Sequence, residues 1–141
     1  MFQIYTDGGC RHNPGLGAWS YVVVKDNKII FQSNGSKAST TNNEMELTAI
    51  LHAVRYAIIH HLFSITIFTD SQYSLNAITQ WYPQWKANGT LAGKKNIDLI
   101  QKIINLATNR NITFQWVKAH ANNPYNNLAD HLVNQAMDAL K

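Results

Sequence analysis

The stretch FQIYTDGG, residues 2–9, decides the fold of this chain. Apolar and polar side chains alternate along residues 2–6, which is typical of a β-strand, and Asp7-Gly8-Gly9 predicts a tight turn at its end. Because the strand pattern starts at the second residue, we expect no signal peptide. The carboxylate of Asp7 is therefore expected at the end of a strand, and its neighbours depend on how the rest of the chain folds.

The segments that follow this strand predict an antiparallel meander. Asn13-Pro14-Gly15 continues the loop, and residues 18–24 have the pattern of a second strand. Asp26-Asn27-Lys28 predicts a hairpin turn, and residues 29–33 form the third predicted strand.

Residues 41–61 predict a long helix. One apolar stripe recurs at helical spacing and consists of Leu47, Ile50, Leu51, Val54 and Ile58. Thr41 and Glu44 match a capping box, in which Thr41 is the N-cap and the Glu44 side chain reaches back to it.

The second half of the chain alternates helices with strands. Residues 65–69 predict a buried central strand that stops at Asp70, and residues 112–117 predict the last strand. Helices are predicted at 71–79, at 96–107 and after the polar loop 118–124, whereas the tryptophan- and lysine-containing segment between the first two looks irregular. The order βββ-α-β-αα-β-α indicates an α/β domain over residues 1–141, with a partly parallel sheet covered by helices.

Composition favours a folded protein and excludes several classes. Hydrophobic residues make up 45% of the 141 residues and charged residues 14%, which argues against disorder. No apolar run approaches the roughly 18 residues of a membrane helix. The single cysteine, Cys10, excludes an internal disulfide and favours a reducing cytoplasm. The net charge of +4 permits an anionic partner without demanding one.

Four of the eight acidic residues can meet at one edge of the sheet. If the strands that end at Asp7 and Asp70 are parallel neighbours, both carboxylates emerge at the same carboxyl edge. Glu46 and Asp130 flank the apolar stripes of the long helix and the last helix, so they can face that edge. Each acid also has an ordinary alternative as a turn residue, a helix cap or a partner of the helix dipole.

Carboxylates crowded together favour a divalent cation. They repel one another and raise each other's pKa, and a cation relieves that repulsion. Oxygen ligands suit Mg²⁺ or Mn²⁺ better than zinc. Two such ions about 4 Å apart can activate a water and stabilise the leaving oxygen of a phosphodiester.

At these residues the sequence closely resembles the bacterial type 1 ribonuclease H family. The matching pieces occur in the family's order and cover nearly the whole chain. They are residues 5–10 (YTDGGC) with 13–15 (NPG), 40–47 (TTNNEMEL), 69–73 (TDSQY), 78–81 (ITQW) with 85–86 (WK), 116–121 (WVKAHA), and Asp130 on the last helix.

The resemblance implies a ribonuclease H-like fold, with a five-stranded mixed sheet whose second strand is antiparallel to the rest. It implies an endonuclease that cuts the RNA strand of an RNA–DNA hybrid with two Mg²⁺ ions, which Mn²⁺ can replace, and leaves 5′-phosphate and 3′-hydroxyl ends. Independently of the resemblance, we expect a monomer. Asp7, Glu46, Asp70 and Asp130 would be the catalytic, metal-binding acids. His120 would assist product release or proton handling near the metal.

The resemblance also implies how the hybrid is held. The residues expected to face the RNA strand in the minor groove are Cys10, Asn13, Asn42, Asn43 and Gln72. Those expected along the DNA strand are Thr41 and Asn96 in a phosphate pocket, Trp81 and Trp85 in the groove, and a basic patch of Lys86, Lys94 and Lys95. The start of the long helix is also expected to offer free N–H groups to a phosphate. For Trp81, packing in the core remains an equal alternative.

Some positions depart from the family's pattern. The segment between Trp81 and Asn96 is shorter and less basic, Ser39 replaces an arginine, Glu44 replaces a basic residue, and Ala119 replaces a glycine. We expect these departures to weaken substrate binding and to leave the four acids unaffected. Two alternatives stay open: another nuclease on the same fold, or a hybrid-binding module without catalysis.

Overall fold

The computed structural model describes residues 1–119 and 121–140. Its sheet has five strands, which are β1 (Phe2–Cys10), β2 (Gly15–Lys25), β3 (Lys28–Thr40), β4 (Ile65–Thr69) and β5 (Ile112–Trp116). Their order across the sheet is β3-β2-β1-β4-β5. β2 is antiparallel to β1 and β3, while β1, β4 and β5 are parallel. The prediction of a five-stranded mixed sheet with an antiparallel second strand is therefore confirmed.

Within the described residues, five α-helices accompany the sheet. They are α1 (Asn42–Ile59), α2 (Gln72–Asn76), α3 (Tyr82–Asn88), α4 (Ile97–Ala107) and α5 (Pro124–Leu140), and a π-helical turn (Ala77–Trp81) joins α2 to α3. In the described part of the chain, no helix combines the length and the apolar character that crossing a membrane requires.

The central strand β1 is buried on both faces. Ile4 packs into the larger core cluster together with Leu47 and Ile50 of α1, whereas the next residue, Tyr5, packs with Ala129 and the rest of the smaller cluster under α5. Since successive side chains of a strand point to opposite faces, α1 and α5 cover opposite sides of the sheet. The end of β1 consequently lies between these two helices.

Helix α1 begins much as its sequence predicts. Thr41 is the N-cap, and its Oγ1 accepts a hydrogen bond of 3.2 Å from the N–H of Glu44. The second half of the predicted capping box is wrong, because the Glu44 carboxylate forms an ion pair with Lys37 of β3 instead. This ion pair also lowers the pKa of Glu44. The negative charge that departs from the family's pattern is therefore balanced within the chain.

Three strands and one connecting segment differ from the predicted bounds, and β2 begins at Gly15 rather than at residue 18. β1 continues through the predicted turn to Cys10, because β2 pairs with it as far as Cys10 and Gly17. β3 extends to Thr40 through polar residues that an exposed edge strand tolerates, so no apolar alternation marked them. The segment expected to be irregular holds the π-helical turn and α3, whose tryptophans pack against the core.

Gly8 allows α1 to approach the end of β1 closely. A Cβ atom at Gly8 would overlap the backbone of Met45 and Glu46, with the Met45 carbonyl oxygen only 2.6 Å away. Backbone atoms cannot move aside as a flexible side chain can. The absence of a side chain at Gly8 is thus what permits the first turns of α1, including Glu46, to lie against β1.

We predict that Gly8→Ala destabilises the protein by about 1–3 kcal/mol, because the added methyl group forces β1 and α1 apart. The neighbouring Gly9→Ala is the matched control. A Cβ atom there would lie 3.4 Å from the Val133 side chain, an ordinary van der Waals contact. Urea denaturation of both variants measures the difference, and equal stabilities would contradict the close packing.

Candidate active site

Asp7 and Asp70 emerge side by side from neighbouring parallel strands. Thr6 of β1 pairs with Thr69, the last residue of β4, so Asp7 and Asp70 directly follow this pair at the same edge of the sheet. The backbone at Asp70 is held by Trp116, whose Nε1 donates a 3.2 Å hydrogen bond to the Asp70 carbonyl oxygen. Asp7 is only 4% exposed. Parallel pairing therefore brings together two carboxylates that are far apart in the sequence.

Glu46 reaches the same place from α1. Its backbone N–H lies over Gly8, at the close approach described above. The side chain is partly buried, and its Oε1 is shielded from solvent without a hydrogen-bond partner among the described residues. A buried carboxylate oxygen that lacks a partner is costly, so this atom lies where a positively charged ligand is favoured.

Asp130 reaches the site from α5, on the opposite face of the sheet. Ser20 of β2, which pairs with Asp7 in the strand register, is fully buried. Its hydroxyl donates a 2.6 Å hydrogen bond to the carbonyl oxygen of Ala129. This bond ties α5 to the sheet one residue before Asp130 and fixes the height of Asp130 relative to Asp7.

The four acids line one cavity of about 340 Å³ at the carboxyl end of β1 and β4. Carboxylate oxygens of Asp7, Glu46 and Asp70 all lie within 4.8 Å of one another. The remaining described residues that line the cavity are Gly8, Gly9, Cys10, Arg11, Asn42, Val133, Asn134 and Met137. Carboxylates from two strands and two helices thus converge on a single space.

Crowding and burial change the proton affinity of two of these acids. Burial, followed by the charges of Asp70 and Asp130, raises the pKa of Asp7 to about 9. Burial, followed by the charges of Asp7 and Asp70, raises the pKa of Glu46 well above its ordinary range. The backbone N–H of Gly8 acts in the opposite direction on both. Without a cation, the cluster therefore retains protons near neutral pH.

The site has the donor set of a hard divalent cation. Every candidate ligand atom of Asp7, Glu46 and Asp70 is a carboxylate oxygen, and Glu46 Oε1 has no hydrogen-bond partner in the part of the chain that the structure describes. Such oxygen ligands suit Mg²⁺ or Mn²⁺. The residues present therefore fit the metal that the sequence led us to expect.

Two residues expected to face RNA, Cys10 and Asn42, line the acidic cavity. The Cys10 thiol donates to the carbonyl oxygens of Thr40 and Gly15, at 3.2 and 3.4 Å. Asn13 is exposed, and its Oδ1 accepts a 3.0 Å hydrogen bond from the N–H of Asn42.

The expectation of free N–H groups at the start of α1 is partly wrong. The N–H of Asn42 is bonded to Asn13, and that of Glu44 is bonded to the Thr41 side chain. Capping side chains therefore already occupy two of the groups that a phosphate would use. Asn43 itself is exposed on the first turn of the helix.

Part of the set expected along the DNA strand forms a second cluster around Trp81 and Trp85, outside the acidic cavity, whereas Thr41 lies at the start of α1. Trp81 and Trp85 are partly exposed with ring centroids 6.0 Å apart, and the Lys94 Nζ lies 5.2 Å from the Trp85 ring centroid. Asn96 donates a 3.2 Å hydrogen bond to the Tyr73 hydroxyl, and the Tyr73 ring meets Trp81 edge to face. Lys86 and Lys95 of the expected basic patch are exposed, and so is Gln72, which was expected to face RNA.

One expected residue cannot be placed, and others were missed. His120 lies outside the described residues, so its role stays a prediction from the resemblance. Sequence reasoning missed Arg11, Asn134 and Met137, which line the acidic cavity. Helical spacing from Asp130 could have indicated Asn134 and Met137. The loop position of Arg11, directly after Cys10, gave no periodic signal.

Comparison with known proteins gives a consistent result. The sequence profile described as RNase H matches residues 1–138. Ribonuclease H of Francisella philomiragia is 43% identical over 140 aligned residues, covering 96% of this chain and 90% of the relative. Ribonuclease H of Ruthia magnifica is 44% identical over 141 aligned residues, covering 97% and 95%.

A solved structure agrees with these sequence matches. It is the N-terminal RNase H domain of a Mycobacterium tuberculosis protein, fused to maltose-binding protein. It superimposes with a TM-score of 0.77 at 25% identity, covering 98% of this chain and 94% of that chain. The resemblance inferred from the sequence motifs is confirmed, and this chain belongs to the ribonuclease H family.

Proposed function

We propose that this protein is a metal-dependent endonuclease that hydrolyses the RNA strand of RNA–DNA hybrids, leaving 5′-phosphate and 3′-hydroxyl ends. The observation that carries the proposal is the convergence of Asp7, Glu46 and Asp70, whose carboxylate oxygens lie within 4.8 Å of one another. Membership of the ribonuclease H family supports the same activity.

The four acids have a binding role in this proposal. Asp7, Glu46, Asp70 and Asp130 would hold two Mg²⁺ ions, with Mn²⁺ as a possible substitute. When bound, these ions supply the positive charge that activates a water molecule and stabilises the leaving oxygen. The protein contributes a rigid frame, since two paired strands and two packed helices fix where the carboxylates lie. For His120, the family resemblance implies a role in proton handling or product release.

The hybrid would lie across the cavity and the tryptophan cluster. RNA is distinguished from DNA by its 2′-hydroxyl groups. Cys10 and Asn42 line the cavity, and together with Asn13, Asn43 and Gln72 they would supply the polar groups that read these hydroxyls. On the DNA side, Thr41 and Asn96 would contact a phosphate, Trp81 and Trp85 would stack on sugars, and Lys86, Lys94 and Lys95 would neutralise phosphates.

The simplest test supplies Mg²⁺ or Mn²⁺ and labelled RNA–DNA, RNA–RNA and DNA–DNA duplexes of one sequence. We expect cleavage of the RNA strand in the hybrid alone. Cleavage of DNA–DNA would indicate another nuclease on the same fold. Binding of the hybrid without cleavage under either metal would indicate a binding module.

Within the same assay, we predict that Asp7→Asn and Asp70→Asn each lower the cleavage rate at least about 100-fold, because each removes a charged metal ligand. Asp26→Asn is the matched control, since Asp26 lies exposed in the β2–β3 turn at the other end of β2. Its rate should equal that of the wild type. Near-normal turnover by Asp70→Asn would contradict the metal assignment.

The raised pKa of Asp7 predicts a pH-dependent stability without metal. The unfolded chain releases this proton near the ordinary value of 3.8, whereas the folded state holds it until about 9. The folded state therefore binds more protons between these values, and stability falls as pH rises through them. The Asp7→Asn variant does not lose stability in this way. We therefore expect its free energy of unfolding to be higher than that of the wild type by at least ~1.4 kcal/mol at pH 8.

Urea denaturation in EDTA between pH 5 and pH 9 measures this difference. Asp26→Asn again serves as the control, because it also loses one carboxylate but at an exposed turn. Millimolar Mg²⁺ should stabilise the wild type, since the cation binds only the folded state. A wild-type stability that rises between pH 6 and pH 9 in EDTA would contradict the raised pKa.

A further inference from the structure

Arg11 is the one cationic residue among the described residues that line the acidic cavity. Its Nη2 lies 2.7 Å from Oδ1 of Asp138, near the end of α5, and the two side chains form an ion pair. A guanidinium carries five N–H donors. Most of them are therefore available to a further acceptor in the cavity.

The backbone on both sides of Arg11 is tied down. The Arg11 N–H donates a 2.7 Å hydrogen bond to the carbonyl oxygen of Leu16, across the loop. The preceding Cys10 thiol bonds to the carbonyl oxygens of Thr40 and Gly15, and Asn13 bonds to the start of α1. The Arg11 side chain is thus preorganised, because its backbone is hydrogen-bonded to Leu16 and its guanidinium is paired with Asp138.

The negative charge of the cavity disfavours a phosphate, and the positive charge of Arg11 can offset this repulsion. Four carboxylates line the cavity, and a polyanionic substrate has to approach them. Cations bound by the acids would neutralise the charge of the cleaved phosphate. The adjoining phosphates of the same strand require other positively charged groups. An arginine suits this role because its planar fork binds two phosphate oxygens at once.

We propose that Arg11, oriented by Asp138, binds a backbone phosphate of the RNA strand next to the cleaved one. This inference rests on the proposed function and adds to it a substrate contact that belongs to this chain's own loop. The side chain is 30% exposed and that of Asp138 is 61% exposed, so a phosphate can reach the guanidinium without opening the fold. Arg11 is a substrate-binding residue here and takes no part in the bond cleavage.

Initial-rate kinetics with Mg²⁺ on a labelled RNA–DNA hybrid, at several KCl concentrations, tests the proposal. We expect Arg11→Gln to raise KM about tenfold while kcat changes less than about twofold, since a charge-assisted contact to bound substrate is lost. The slope of log KM against log salt should fall by roughly 0.9, the value for one phosphate contact. Arg55→Gln, an exposed arginine on the distal half of α1, should behave as the wild type.

Asp138→Asn distinguishes substrate binding from a merely structural ion pair. It breaks the same pair but leaves the guanidinium in place, so KM should stay within about threefold of the wild type. Equal changes in KM for Arg11→Gln and Asp138→Asn would overturn the proposal, as would an unchanged salt slope in Arg11→Gln. If the wild type does not cleave the hybrid, it is the proposed function that fails.

Discussion

The structure depends on how negative charge is accommodated in a small, poorly solvated space. Asp7, Glu46 and Asp70 place carboxylate oxygens within 4.8 Å of one another, and Asp130 adds a fourth carboxylate to the same cavity. In such surroundings the charges repel strongly, so the cluster must take up either protons or cations. Among residues 1–119 and 121–140, no hydrogen-bond partner meets Oε1 of Glu46, so a cation is favoured beside this atom. That constraint favours the binding of a divalent cation at this site.

The rest of the fold holds the repelling groups together. Parallel pairing of β1 and β4 sets Asp7 beside Asp70, and the bare backbone of Gly8 admits α1 from one side. From the other side, the buried Ser20 hydroxyl anchors α5 beside Asp130. Burial of the apolar clusters on both faces of the sheet offsets the repulsion among the crowded carboxylates. The hydrophobic core and the acidic cavity are thus parts of one arrangement.

Strong periodicity made most of this arrangement predictable. Leu47, Ile50, Leu51 and Val54 of the α1 stripe are buried as expected, and strand-end aspartates indicated the edge where the acids meet. Features set by tertiary contact were not predictable. The polar half of β3 is a strand because β2 pairs with it, and Glu44 turns away from its cap because Lys37 lies across from it. Arg11 escaped notice because a single loop cation has no pattern until α5 brings Asp138 beside it.

Calorimetry of Mg²⁺ or Mn²⁺ binding near pH 7, repeated in buffers of different ionisation enthalpy, tests the central claim most directly. The binding heat then reveals how many protons leave as the cation enters. Because Asp7 and Glu46 hold protons in the metal-free cluster, cation binding should release at least about one proton per protein, and Asp7→Asn should release fewer. Cation binding without proton release, or equal release from both proteins, would contradict the account.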